Sequence, residues 1–146
     1  MSSTLSRNKA ISEIGAIGEK IVFDLLAADH DVVMSEDKFD SVKDMLVDSQ
    51  TVEVKTLVPI KIFDSFCIGS NQIVKCLNAD RLFFVKIGKG DGIYVYESLR
   101  PRRPQRREYN SDTCYFFKLT ELKLYDIVQN KSAANRLRAL SPSKYL

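Results

Sequence analysis

The chain has 146 residues, 45% of them hydrophobic and 28% charged, with a formal net charge of +3 at neutral pH. Those figures fit one domain with a single proper core and exclude a disordered or fibrous chain. No run approaches the roughly 18 apolar residues of a membrane span, and the polar start, Met1 to Lys9, has no apolar signal core; a cytoplasmic protein with no membrane partner is expected.

Residues 9–29 are predicted to form an amphipathic helix. Ile14, Ile17, Ile21, Leu25 and Leu26 recur at helical spacing until Asp29-His30-Asp31 interrupts them. A short strand, Val32 to Met34, follows. After the polar segment 35–43, Met45, Val47, Val52 and Val54 are expected on one face of a hairpin with Asp48-Ser49-Gln50-Thr51 at its turn. Its second strand is expected to run to Val58, where Pro59 ends it. An extended stretch, Ile60 to Ile68, leads to a short helix over Asn71 to Leu77, with Ser70 as N-cap. Arg81 to Ile87 is dense in apolar residues and reads as a buried strand; Lys89-Gly90-Asp91-Gly92 turns the chain into another, Ile93 to Tyr96. A strand at Tyr115 to Lys118, a helix near Glu121 to Gln129 opened by Thr120, and a helix over Ala133 to Leu140 starting at Ser132 complete the reading. The expectation is one α/β domain over 1–146, with its core at about 10–97, a basic loop at 99–110, and a C-terminal strand and helices at 114–141.

Cys67, Cys76 and Cys114 are odd in number and form no C-x-x-C pair, and His30 is the single histidine. A structural zinc site needs four clustered soft or imidazole ligands, so free thiols in a reducing compartment are the better reading.

The chemistry-bearing residues sit in the hairpin. Side chains alternate along a strand, so Glu53 and Lys55 share a face. With a turn of even length that pairs Val47 with Val52, Asp44 falls opposite Lys55 and diagonal to Glu53, while Met45 and the valines face a core. An odd turn puts Asp44 on the other face and brings Asp40 forward as the candidate acid. Two carboxylates and an ammonium at one end of a hairpin suit hydrolysis of a phosphodiester with a divalent ion: hard oxygens hold Mg²⁺, and the lysine steadies the developing charge. Taken alone, the Glu-x-Lys alternation also describes the solvated face of an amphipathic strand. Glu19 adds to the pattern, because it lies in line with Gly15, Val22 and Leu26 and a carboxylate beside an apolar stripe needs a partner. Gly15 and Gly18 flank it, and two helical glycines point to something that approaches the helix closely.

The runs Gly15-Ala16-Ile17-Gly18-Glu19-Lys20, Asp44-Met45-Leu46-Val47 and Val52-Glu53-Val54-Lys55-Thr56 resemble the PD-(D/E)xK nuclease superfamily, over roughly residues 10–97. Lys43 stands where the family name has proline. The resemblance implies a restriction-endonuclease-like αβββαβ core, with a mixed central sheet flanked by helices, like small Holliday-junction-resolvase-type members. It further implies metal binding (Mg²⁺ or Mn²⁺) by Asp44, Glu53 and the Val54 carbonyl, with Glu19 holding a metal or its water. Lys55 would be the catalytic lysine, and Gln72 resembles a polar residue that some members place at the site. A DNA substrate follows, with branched or otherwise structured DNA among the options and RNA left open. A homodimer is implied as well, for which Leu137, Leu140 and Tyr145 are interface candidates that equally suit a core cap.

Arg100, Arg102, Arg103, Arg106 and Arg107, interrupted by Pro101 and Pro104, form a positive arm expected to lie as an extended loop along a phosphate backbone. Lys9, Lys20, Lys131, Arg136 and Arg138 are candidates to widen that surface, and Tyr94, Tyr96 and Tyr109 to stack on unpaired bases or simply to pack in a sheet. The alternative function is a non-catalytic nucleic-acid-binding module that keeps the fold and the arm.

Overall fold

In a computed structural model of the chain, the described residues are 3–34, 45–56, 65–87 and 90–140. Their order is α1 (Ser3–Ala27), β1 (Val32–Met34), β2 (Met45–Val47), β3 (Gln50–Thr56), β4 (Ser65–Gly69), α2 (Ser70–Asn78), β5 (Arg81–Ile87), β6 (Gly92–Ser98), β7 (Gln105–Tyr109), β8 (Asp112–Lys118), a 3₁₀ turn (Leu119–Glu121), β9 (Lys123–Gln129) and α3 (Lys131–Leu140). The fold is mixed α/β. A six-stranded sheet runs β1-β2-β3-β5-β6-β9, and a three-stranded sheet runs β4-β8-β7. β3 and β5 pair in parallel; the neighbouring pairs in both sheets are antiparallel.

The large sheet separates two apolar layers. On one face, Val52, Val54, Phe83, Val85, Ile93 and Val95 pack with Ile21, Val22 and Leu26 of α1 and with Ala134 and Leu137 of α3. On the other, Leu82 and Phe84 pack with Ile73 and Cys76 of α2 and with Phe66, Ile68 and Phe117 of the small sheet. Phe66 stacks on Phe84 at 4.8 Å between ring centroids. Leu82 to Val85 are therefore buried on both faces, which is why that stretch is apolar without alternation.

The hairpin forms with a different register from the expected one. Met45 pairs with Val52 and Val47 with Gln50, so the turn is only Asp48-Ser49 and not the four residues 48–51. Both turn residues have positive φ, 49° and 70°, the geometry that matches strand twist in a two-residue hairpin. Asp48 is anchored from behind: its carboxylate accepts from the Asp31 N–H at 3.1 Å and lies 2.7 Å from His30 Nδ1. The turn is even in length, and Met45, Val47, Val52 and Val54 do share the buried face.

Four other expectations change. Residues 121–129 are not a helix: Lys123–Gln129 is the edge strand β9, and Tyr125 meets the Phe83 ring edge-on at 5.4 Å. Short apolar runs fit either period, and Tyr125, Ile127 and Val128 favour the strand. The basic loop is shorter than 99–110, because Gln105–Tyr109 pairs with β8. Ser70 is the first residue of α2 rather than its N-cap, which is Gly69. At α3 the cap is Asn130, not Ser132, since its side chain accepts the Ala133 N–H at 3.0 Å. Leu137 is in the core, whereas Tyr145 lies outside the described residues.

Of the two glycines of α1, only Gly18 serves a close approach. A Cβ built there would lie 1.5 Å from Thr56 Oγ1 and 2.7 Å from Thr56 Cβ, whereas one at Gly15 meets nothing within 4 Å. Gly18 thus lets α1 sit directly on the end of β3. Gly18→Ala should lower stability by about 1–3 kcal/mol through overpacking, while Gly15→Ala should raise it by up to about 1 kcal/mol through helix propensity. Thermal unfolding of the two variants checks the contrast; equal shifts would refute the close contact.

The start of β3 is tied to the corner between α2 and β5. Asp80 accepts the Thr51 N–H at 2.8 Å, and its own N–H donates to Thr51 Oγ1 at 2.9 Å. The donations to its carboxylate from the Thr51 N–H and from the Thr51 hydroxyl, the latter at 3.2 Å, hold the Asp80 carboxyl below its ordinary range. A depressed carboxyl stabilises the fold fully above its unfolded value of about 4, and that contribution is lost as pH falls through the lower folded value. Asp80→Asn should therefore flatten the acid limb of the stability-against-pH curve below about pH 4, and an unchanged limb would contradict the tie.

Candidate functional site

Glu53 and Lys55 lie on the α2 side of β3, opposite to the face that carries Val52, Val54 and Thr56. The parallel register sets Glu53 beside Leu82 and Lys55 beside Phe84, both floor residues of the α2 layer. The alternative of a solvated sheet face does not apply to Glu53, whose relative exposure is 0%.

Two residues of α2, three apart and thus on one helical face, meet these two strand residues. Lys75 places its ammonium 3.2 Å from Glu53 Oε2, with its own side chain 18% exposed. Gln72 Oε1 accepts from Lys55 Nζ at 2.8 Å. The result is a two-by-two array: carboxylate and ammonium, ammonium and amide. Enclosure of a carboxylate is costly unless a cation meets it closely, and here the helix supplies that cation.

The candidate residues are thus brought together in part. Glu53, Lys55 and Gln72 converge; Asp44 and Asp40 lie outside the described residues. Met45, next to Asp44 in sequence, pairs with Val52, next to Glu53. Glu19 is half-buried on α1, immediately after Gly18, in the helical layer on the opposite side of the sheet from α2. Val54 turns its side chain into the α1 layer. Sequence reasoning missed Lys75, although its three-residue spacing from Gln72 was the available signal.

A metal is tested by the donors. An enclosed carboxylate and a backbone carbonyl are hard oxygen donors of the type Mg²⁺ and Mn²⁺ take, and a cation already stands on the carboxylate. In type the residues fit such an ion. In number, no three His, Cys, Asp or Glu side chains gather among the described residues. The cysteines are free, and the Cys67 thiol is pushed up to about 12 by burial and by the neighbouring Cys114 thiol, so it is a poor metal ligand or nucleophile.

The arginine segment divides by role. Arg102 donates to the carbonyls of Cys76, Leu77, Ala79 and Asp80 at 3.0, 3.1, 2.6 and 3.2 Å and to that of Ser98 at 3.2 Å. Arg100 donates to Ala79 O at 2.8 Å. Both guanidiniums therefore sit at the negative end of the α2 dipole and close its unpaired carbonyls. Arg106 pairs with Glu108 at 2.6 Å. Arg103 and Arg107 are exposed. Of the other cations, Lys20 pairs with Asp24, Arg136 with Glu13, and Arg138 donates to Gly90 O. Tyr94 and Tyr96 pack edge to face at 6.4 Å, with Tyr96 also against Phe66.

No match is found among protein-family models, curated proteins or solved structures. No helix among the described residues is long and apolar enough to cross a membrane.

Arg102→Ala removes charged donors from several carbonyls at once. It should cost about 2–3 kcal/mol of stability, read as a lower denaturant midpoint, whereas Arg103→Ala should leave the midpoint within about 0.5 kcal/mol. Equal effects would mean that Arg102 does not cap α2.

Proposed function

We propose that the protein is a Mg²⁺-dependent endonuclease of the PD-(D/E)xK kind acting on DNA, with Glu53 and Lys55 at its catalytic centre. The observation that carries this reading is the array of β3 and α2, in which an enclosed Glu53 meets a cation and Lys55 is oriented by Gln72. Support also comes from the element order. The succession α1, β1, β2, β3, α2, β5 follows the αβββαβ order of the restriction-endonuclease-like core, with β4 added before α2.

In this reading Glu53, the Val54 carbonyl and Asp44 would hold the ion, while Glu19, in the layer on the other side of the sheet, takes no part at Glu53. The ion, when bound, lowers the pKa of a coordinated water and neutralises charge growing on the phosphate. The rest falls to the chain. Gln72 fixes the Lys55 ammonium so that it donates to an oxygen of the reacting phosphate, a contact that strengthens as negative charge accumulates. The α2 layer excludes water around Glu53, which strengthens every charge interaction there. Arg103 and Arg107 supply phosphate contacts to the DNA, and Arg100 and Arg102 hold the segment that carries them. A homodimer, one site for each strand, belongs to the same reading.

Supercoiled plasmid and a four-way junction, incubated with Mg²⁺ or Mn²⁺, should be cleaved. Glu53→Gln and Lys55→Met should each lower the rate by about a hundredfold or more without abolishing DNA binding. Binding without cleavage, lost when Arg103 and Arg107 are neutralised, would instead identify a nucleic-acid-binding module.

A further inference from the structure

Lys75 has no catalytic step assigned to it in the reading above, yet its ammonium is the cation that meets Glu53. Its ammonium sits 3.2 Å from an oxygen of a carboxylate with no exposed surface, and its stem runs from α2 with 18% of the side chain exposed. Glu53 is locked on a central strand between β2 and β5, so it cannot follow a moving partner. Lys75, on a flexible four-carbon stem with a route to solvent, can leave.

We infer that Lys75 is a resident counter-ion, holding the place on Glu53 that a divalent cation takes, so that metal entry and the Glu53–Lys75 pair exclude one another. This rests on the nuclease reading in that Glu53 is a metal ligand. The physical reason is charge. One enclosed carboxylate needs one cation in its neighbourhood. A dication and an ammonium at the same oxygen repel each other, and the dication, with twice the charge, wins only after the ammonium has moved away. The chain thereby keeps Glu53 in place without metal, and the metal must work against Lys75 to bind. Lys75 is a positioning residue in this scheme, since it acts through Glu53.

Mn²⁺ binding, followed by the electron paramagnetic resonance signal of the free ion at fixed ionic strength, tests this. Lys75→Met, similar in length and uncharged, should bind Mn²⁺ about tenfold or more tightly than wild type. Lys75→Arg should not gain affinity, and Glu53→Gln should lose binding. The Met variant should also be less stable without metal and recover on adding Mn²⁺. If Glu53→Gln loses Mn²⁺ but Lys75→Met binds no more tightly than wild type, the counter-ion role is overturned while the metal site stands. If neither wild type nor Lys75→Met binds Mn²⁺, the nuclease reading falls with it. Should the Met variant fail to fold, ¹³Cε-lysine spectra of the wild type decide: the Lys75 signal, assigned with Lys75→Arg, should shift on Mg²⁺ saturation. An unmoved signal in metal-loaded protein overturns the inference.

Discussion

A carboxylate withdrawn from water must be met by a cation, and Glu53 is withdrawn completely on a strand flanked by two others. Much of the architecture satisfies that demand. β3 is fixed on one side by α1, which reaches it only because position 18 has no side chain. On the other side α2 must lie at the height where Lys75 and Gln72 reach Glu53 and Lys55. The helix is held at that height from its far end by Arg100 and Arg102 and by the bonds between Asp80 and Thr51. An ion pair at the centre of the layer thus depends on capping interactions formed by residues more than twenty positions later in the chain.

Much of this was legible from pattern alone. Met45 alternating with Val47, and Val52 with Val54, marked the hairpin and its buried face, and the unbroken run Leu82 to Val85 marked a strand covered on both sides. Gly18 beside a helical apolar stripe signalled a close contact, although its neighbour Gly15, with the same signal, has none. A glycine shows that room is permitted; only tertiary structure shows whether anything fills it. The hairpin register was missed because a two-residue turn of Asp48 and Ser49 demands positive φ without glycine, and the support that makes this tolerable comes from His30 and Asp31 on another strand's approach.

The arginine cluster shows the same limit more sharply. Five like charges in eight residues read as a ligand-binding arm, because sequence counts charge without its surroundings. Two of the five are turned inward to helix carbonyls and a third is paired with Glu108. Lys75 went unnoticed for the complementary reason: a lone lysine on a short amphipathic helix looks like solvated surface unless the strand beneath it is known to carry an enclosed acid.

The separation of the two apolar layers also bears on motion. The layer that encloses Glu53 consists of a nine-residue helix and a three-stranded sheet, whose Phe66 and Phe117 rest on Phe84 of the large sheet, and it is distinct from the layer of α1 and α3. It can loosen at the expense of its own contacts while the larger core stays intact, as partial unfolding units do in other proteins. Amides of α2 are therefore placed to exchange with solvent ahead of those of β3 and β5. A fluctuation of this smaller unit alone would suffice to bring the enclosed acid to solvent, without global unfolding of the chain.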